Sequence, residues 1–384
     1  MANNSSLGAA KEAKNDEFYT QYSDIEAEMN AYIEFNPDVF RDKTVLLPCD
    51  DPEWSNFTKY FASNFERLGL KKLISTSYSY SSGSKQISMF EMMSPLFDKD
   101  LRAKHGKLFT VTKDTDGSGR IDTDDIEFNG YLKSDGDFRS KEVMKLRDEA
   151  DIIITNPPFS LFKEFLSWII EGNKQFVILG NMNAITYKEV FTLLKDNKMW
   201  IGYKSLNTDM YFDVPDDRKQ WLLENKKEGS AYKIINGVVM GRLASACWFT
   251  NIDHGKRHEK IQLMTMANNL KFNKRLKKKF EDDYCCVEYP KFDNYDAIEV
   301  PFTDCIPSDY DGVMGVPITF LDKYNPDQFV LLGIQDRDDE FRTKIYSKDE
   351  YSNASDLNRA GVIIVNGIPV MPYRRLFIRR KEQL

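Results

Sequence analysis

Asp151-Ile152-Ile153-Ile154-Thr155-Asn156-Pro157-Pro158-Phe159 is the stretch that decides how this chain folds. Three isoleucines between an acid and a threonine have the length and β-branching of a strand buried on both faces. The run stops at Asn156, where two prolines remove backbone donors and bar further ladder pairing. Residues 160–170 follow with Leu161, Phe162, Phe165, Leu166, Ile169 and Ile170 at helical spacing. A buried strand feeding a helix through a tight turn is the repeating unit of a parallel α/β sheet.

The same alternation extends to both sides. Thr44-Val45-Leu46-Leu47, Lys72-Leu73-Ile74-Ser75-Thr76 and Phe176-Val177-Ile178-Leu179 read as strands. Residues 55–68 read as a helix, with Phe57, Tyr60, Phe61, Phe65 and Leu68 on one stripe. Residues 198–203 and 246–252 read as further strands that complete the sheet. In such sheets the ligand sits outside the carboxyl ends of the strands, and Asn156 stands at one. Beyond residue 255 the alternation is lost to a basic segment and a stretch rich in Tyr, Asp and Pro. The expected organisation is therefore an α/β domain over residues 1–255 and a second domain over 256–384.

Composition narrows the classes. The 384 residues are 41% hydrophobic and 13% aromatic, which is globular and sufficient for two cores. No long uncharged apolar run predicts a membrane span, and residues 1–10 lack the pattern of a secretory signal. Five cysteines and three histidines show neither a disulfide framework nor zinc spacing, which fits a reducing cytoplasm. The net charge of −7 hides a local reversal: residues 254–280 hold nine Lys or Arg against one acid, Glu259. Lys271, Lys274, Arg275, Lys277, Lys278 and Lys279 form its densest part and are the candidate phosphate contacts of a nucleic-acid partner. A second basic run, from Arg374 to Lys381, closes the chain.

The turn after the strand carries the chemistry. Asn156 offers a side-chain acceptor, the prolines present carbonyls without competing N–H groups, and Phe159 adds an aromatic face. Two acceptors suit an NH₂ group whose lone pair is delocalised into a ring. Each takes one N–H hydrogen bond, which draws the nitrogen toward tetrahedral geometry. Asn156, Pro157, Pro158 and Phe159 are accordingly the candidate catalytic residues. Pro48-Cys49 suggests the different chemistry of a thiolate attacking a ring carbon, but Cys49 is read as structural or as lining a cofactor site. Asp114, Asp116, Ser118, Asp122 and Asp125 fall at spacings of a calcium loop. Their flank at residues 107–112 alternates like a strand, so the reading is an acidic hairpin loop, with no metal assigned.

Several segments together resemble the EcoRI-type adenine-specific DNA methyltransferase family. They are Asp16-Glu17-Phe18-Tyr19-Thr20-Gln21, the segment from Cys49 to Phe57, Asp135-Gly136-Asp137-Phe138, the Asn156–Phe159 turn, and the segment from Asp309 to Pro317. The resemblance implies a Rossmann-like S-adenosylmethionine-dependent methyltransferase sheet with a C-terminal DNA target-recognition domain. It implies cofactor contacts from Phe18, Tyr19, Thr20, Cys49, Asp50, Asp51, Asp137, Phe138 and Asn156. It further implies methyl transfer to the N6 of an adenine flipped out of double-stranded DNA. A cytoplasmic, bacterial or phage-encoded monomer would follow, with a cognate restriction endonuclease as a possible companion. The chain departs from the family's relatives in two places: the loop after the first strand has no glycine, and the second strand has no terminal acid. The turn itself defines only an NH₂ acceptor. Cytosine N4, RNA or a protein glutamine therefore stay open, as does a DNA-binding protein with a degenerate cofactor pocket.

Overall fold

The isoleucine run forms a strand, Ile152–Thr155, with all four residues buried. A computed structural model describes residues 19–52, 54–79, 92, 94–336, 341–350 and 356–381. Eight strands make the principal sheet: β1 (Thr44–Leu47), β2 (Lys72–Ser77), β3 (Lys107–Val111), β4 (Glu127–Tyr131), β5 (Ile152–Thr155), β6 (Gln175–Asn181), β7 (Trp200–Ile201) and β8 (Ala246–Thr250). Their order is β4-β3-β2-β1-β5-β6-β8-β7. The middle four, β2-β1-β5-β6, run parallel. β3 and β4 extend one edge antiparallel, and β8 is antiparallel to β6 on the other. The sheet is thus mixed rather than wholly parallel, because β3 and β4 form a hairpin around the acidic loop.

The strand order reverses at its centre. The chain leaves β1 to build β2 on one side, then returns to lay β5 on the other, pairing Val45 with Ile152 and Leu46 with Ile153. Such a reversal opens a crevice outside the carboxyl ends of the two strands. The residues that follow β1 and β5 are therefore neighbours, although far apart in sequence.

Helices follow the predicted stripes with one interruption. Helix α1 spans Tyr22–Phe35, α2 Asn56–Ser63, α3 Lys141–Glu149 and α4 Phe162–Glu171. Ser55 caps α2 by accepting from the backbone N–H groups of Phe57 and Thr58. The helix expected over residues 55–68 breaks at Asn64 and resumes as one turn, Phe65–Leu68. Phe57, Tyr60 and Phe61 of α2, and Phe165 and Ile169 of α4, are essentially fully buried. Truncating any one of the buried phenylalanines to Ala would cost about 3–5 kcal/mol.

Two compact units emerge from the contacts. The first holds the principal sheet and comprises the described residues up to Ala184 together with Ile201–His254. It also carries a four-stranded antiparallel sheet in which Tyr19–Thr20 pairs with Met210–Asp213. The second comprises Ile185–Trp200 and the described residues from Gly255 onward, so an excursion of the chain before β7 joins the C-terminal part. Its main sheet has four strands, Ile298–Glu299, Met314–Pro317, Arg375–Arg380 and Phe329–Ile334, in that order. Among the described residues no helix is long and apolar enough to cross a membrane.

Candidate active site

At the end of β5 burial falls within one residue. Thr155 is 0% exposed, Asn156 is half-buried, Pro157 is buried, and Pro158 and Phe159 are half-buried. The Pro158 carbonyl accepts from the Leu161 N–H at 2.9 Å, closing a 3-10 turn that leads into α4. The Pro157 carbonyl precedes that turn. Phe159 packs its ring against the main core. Asn156 is oriented from another element: its Nδ2 donates to Thr20 Oγ1 at 3.4 Å. Thr20 is itself held through its carbonyl, which accepts from Asn56 Nδ2 at 2.8 Å. The next residue, Gln21, donates from Nε2 to the Tyr211 carbonyl at 2.7 Å.

Across the crevice, the loop after β1 converges on the same strand end. Asp50 is 5% exposed and has a partner for every polar atom. Its Oδ1 accepts from Ser55 Oγ at 2.6 Å and its Oδ2 from Thr155 Oγ1 at 2.6 Å. Its N–H donates to the Thr76 carbonyl at 2.9 Å, and its carbonyl accepts from Ser75 Oγ and Thr58 Oγ1. Burial pushes the Asp50 carboxyl up to about 6, against the pull of the Ser55 and Thr155 hydroxyls; the charge of Asp51 adds to the rise. Desolvation, with the Asp50 carboxylate beside it, also pushes the half-buried Cys49 thiol up. A thiol held this way does not supply the thiolate that ring-carbon attack needs. Asp51 forms an ion pair with Lys107 at the start of β3.

The segment from Asp135 to Phe138 reaches this region through a close backbone crossing. Gly136 has φ of +88°, and a Cβ there would lie 2.4 Å from the Ser77 carbonyl oxygen at the end of β2. A Cβ on Gly106 would lie 2.5 Å from the Gly136 Cα. The Ser79 N–H donates to the Asp135 carbonyl at 2.6 Å. Asp137 accepts from Arg139 Nε at 2.8 Å, and the Arg139 guanidinium holds its carboxyl below the usual range. Its charge also bears on Cys49. Phe138 is 4% exposed and packs edge-on against Phe165 and Trp168 of α4.

The structure thus brings Thr20, Cys49, Asp50, Asp51, Asp137 and Asn156 into one neighbourhood, with Tyr19 beside Thr20. Phe18 lies outside the described residues. The sequence reading did not single out Thr155, Ser55, Asn56, Gly136 or Lys107. Ser55 alone carried a local signal, since serine directly before an apolar helical stripe marks an N-cap.

The acidic loop joins β3 to β4 as a hairpin, with strands on both flanks. Carboxylates of Asp114, Asp116 and Asp125 come within 4.8 Å of one another. Asp125 Oδ2 accepts from the Asp122 N–H at 2.9 Å, and Asp114 from the N–H groups of Gly117 and Gly119. Asp122 pairs with Arg120 at 2.8 Å and Ser118 Oγ donates to the Arg120 carbonyl, so neither joins the three.

The basic segment stands in the second unit as two short helices, Met266–Phe272 and Lys274–Lys278, and a π-helical turn, Lys279–Tyr284. Leu276 and Phe280 are buried, while Lys271, Lys274, Arg275, Lys277 and Lys278 are exposed. Arg275 pairs with Asp304, Lys277 with Glu281 and Lys279 with Asp283. Of the closing basic run, Arg375 is buried against Glu299 at 2.6 Å and Arg374 faces Asp336.

Residues 6–381 match the family described as adenine-specific methyltransferase EcoRI. The Type II methyltransferase M.EcoRI of Escherichia coli is 41% identical over 381 residues, covering 99% of this chain and 98% of the relative. M.MgeORF184P of Mycoplasma genitalium, also a Type II methyltransferase, is 36% identical over 97% of this chain and 98% of the relative. M.MpnI of Mycoplasma pneumoniae, a third of that name, is 34% identical over 84% of this chain and 83% of the relative. No solved structure matches the chain.

Proposed function

The chain belongs to the EcoRI family of adenine-specific methyltransferases, and on that premise we propose that the Asn156–Phe159 turn methylates the N6 of an adenine flipped out of double-stranded DNA. One observation carries the reading: Asn156 stands at the carboxyl end of a buried parallel strand, its amide nitrogen turned to Thr20 Oγ1. The Asn156 carboxamide oxygen and the Pro157 carbonyl take the two N–H hydrogen bonds of the amine. That localises the nitrogen lone pair, and the fixed dipoles stabilise the charge developing there. Phe159 stacks on the extruded base.

The rim of the crevice suits S-adenosylmethionine. Asp51 and Asp137, with the backbone crossing at Gly136, place carboxylates at the ends of β1 and β2, where an ammonium and ribose hydroxyls find acceptors. The molecule has no phosphate, so the absence of a glycine-rich loop is no obstacle. When bound it supplies a methyl group already activated on a sulfonium. Tyr19, Thr20, Cys49, Asp51 and Asp137 would hold it, with Phe138 packed beneath. The basic segment of the second unit grips phosphates, chiefly through Lys271, Lys274 and Lys278, and that unit reads the target. The enzyme acts as a cytoplasmic monomer, paired with an endonuclease of the same site.

Transfer of labelled methyl from S-adenosylmethionine to duplex DNA tests the proposal. Label in DNA with the intact chain, and loss with Asn156→Ala, is the expected result. Label appearing only in RNA or protein would overturn the DNA assignment.

A further inference from the structure

We propose that Asp50 is a positioning residue for methyl transfer: its two carboxylate oxygens lock the strand end that launches the Asn156 turn onto the cap of α2. This rests on the reading of Asn156 given above. The loop after β1 holds two adjacent acids, Asp50 and Asp51, and local sequence does not distinguish them. Their surroundings do. Asp51 is ion-paired with Lys107 at the rim. Asp50 is turned inward, with Ser55 Oγ and Thr155 Oγ1 each donating to one oxygen at 2.6 Å.

An ionised carboxylate is an acceptor only, so both hydroxyls must point their protons at Asp50. The Ser55 oxygen is thereby free of its own proton's competition and takes the Phe57 N–H at 3.1 Å. Thr155 is the residue directly before Asn156, and its hydroxyl is fully buried. A hydrogen bond to a charged group is shorter and stronger than a neutral one. Asp50 thus fixes three elements at one point: the loop after β1, the first turn of α2 and the end of β5. The same first turn supplies Asn56, which holds the Thr20 carbonyl at 2.8 Å, and Thr20 in turn receives the Asn156 amide. The acceptor turn is therefore braced from two sides, and both braces meet at the cap of α2. At 5% exposure and with its oxygens spent on two buried hydroxyls, Asp50 serves the scaffold of the site, while Asp51 stands at the rim. Misplacing a reacting group by about 1 Å costs on the order of 100-fold in rate.

The test compares Asp50→Ala, Asp50→Asn and Thr155→Val with the unaltered chain in full-length protein. Steady-state transfer to duplex DNA, S-adenosylmethionine affinity by calorimetry and thermal unfolding are measured for each. Asp50→Ala is expected to lower kcat by roughly 100-fold while S-adenosylmethionine affinity stays within about threefold. Asp50→Asn keeps a hydrogen-bonding group and restores part of that loss. Thr155→Val lowers kcat, and the double variant is no slower than Asp50→Ala alone, because both act through one contact. Unchanged kcat in the folded Asp50→Ala protein overturns the proposal, as does additivity of the two substitutions. A tenfold or greater loss of cofactor affinity with kcat preserved would make Asp50 a cofactor ligand instead. Failure of the unaltered chain to methylate DNA overturns the functional reading and this proposal with it, an outcome distinct from the others.

Discussion

Replacing Asp50 with Asn should change the pH dependence of stability, favouring the variant progressively over the unaltered chain as pH rises from acid to neutral. The carboxyl has an ordinary value of 3.8 and is raised to about 6 in the fold, where it is 5% exposed. At about 1.4 kcal/mol per pH unit, that difference is worth about 3 kcal/mol. The sign follows from which state loses its proton first. Well below pH 3.8 both folded and unfolded chains carry the proton, and the group contributes nothing to pH dependence. Between pH 4 and 6 the unfolded chain ionises while the fold resists, so stability falls as pH rises. Above pH 6 the full penalty is in place. Asn carries no such charge, so the stability gap between Asp50→Asn and the unaltered chain should widen by about 2 kcal/mol from pH 4.5 to 7.5. Urea unfolding followed by circular dichroism across that range measures the gap at each pH. A gap that stays constant, or that narrows as pH rises, would show that burial does not hold the Asp50 carboxyl above its ordinary range. Combined with a loss of turnover, a wider gap would mean that the fold tolerates a destabilising charge for the sake of the site.

Thr20→Val removes the hydroxyl that receives the Asn156 amide and should lower kcat about fivefold, the equivalent of one ordinary hydrogen bond, with KM for DNA little changed. Steady-state methylation kinetics would show it, and an unchanged kcat would remove Thr20 from the brace. Gly136→Ala puts a Cβ against the Ser77 carbonyl at positive φ, and calorimetry should find Tm lowered by about 2–6 °C. A melting point within a degree of the original would show that the crossing relaxes easily. Changing Lys271, Lys274 and Lys278 to Gln should flatten the salt dependence of DNA binding by about 0.9 per lost phosphate contact. The pair Lys277 and Lys279, already facing Glu281 and Asp283, should matter less in the same anisotropy titration.

Much of the principal sheet could be read directly. The runs beginning at Thr44, Lys72, Ile152 and Phe176 are short, β-branched or leucine-rich, and bounded by polar residues, which is what burial on both faces selects. The Asn-Pro-Pro-Phe turn was equally plain, because two prolines end ladder pairing abruptly after the isoleucine run. The antiparallel edge was partly visible in the alternation of residues 107–112, but Glu127–Tyr131 contains a glycine and an asparagine and has little strand character of its own. The second unit was opaque: Ile298–Glu299 is two residues long, and its place in a sheet depends on the distant strand Met314–Pro317. The site suffered from the same distance. Thr155 and Asp50 are 105 residues apart, and nothing near either one announces the other. Asp50 and Asp51 looked equivalent because only the fold turns one inward. The Arg374–Lys381 run read only as a second basic segment, yet Arg375 is buried against Glu299, a partner no local pattern reveals.

The product nucleoside reveals most directly whether Asn156 holds the N6 amine of adenine in DNA. Digestion of duplex DNA after methylation by the intact chain, with nucleosides separated by mass, identifies the product directly. N6-methyladenine is the expected new nucleoside, and it disappears with Asn156→Ala. N4-methylcytosine, or no modified nucleoside despite bound cofactor, would contradict the assignment.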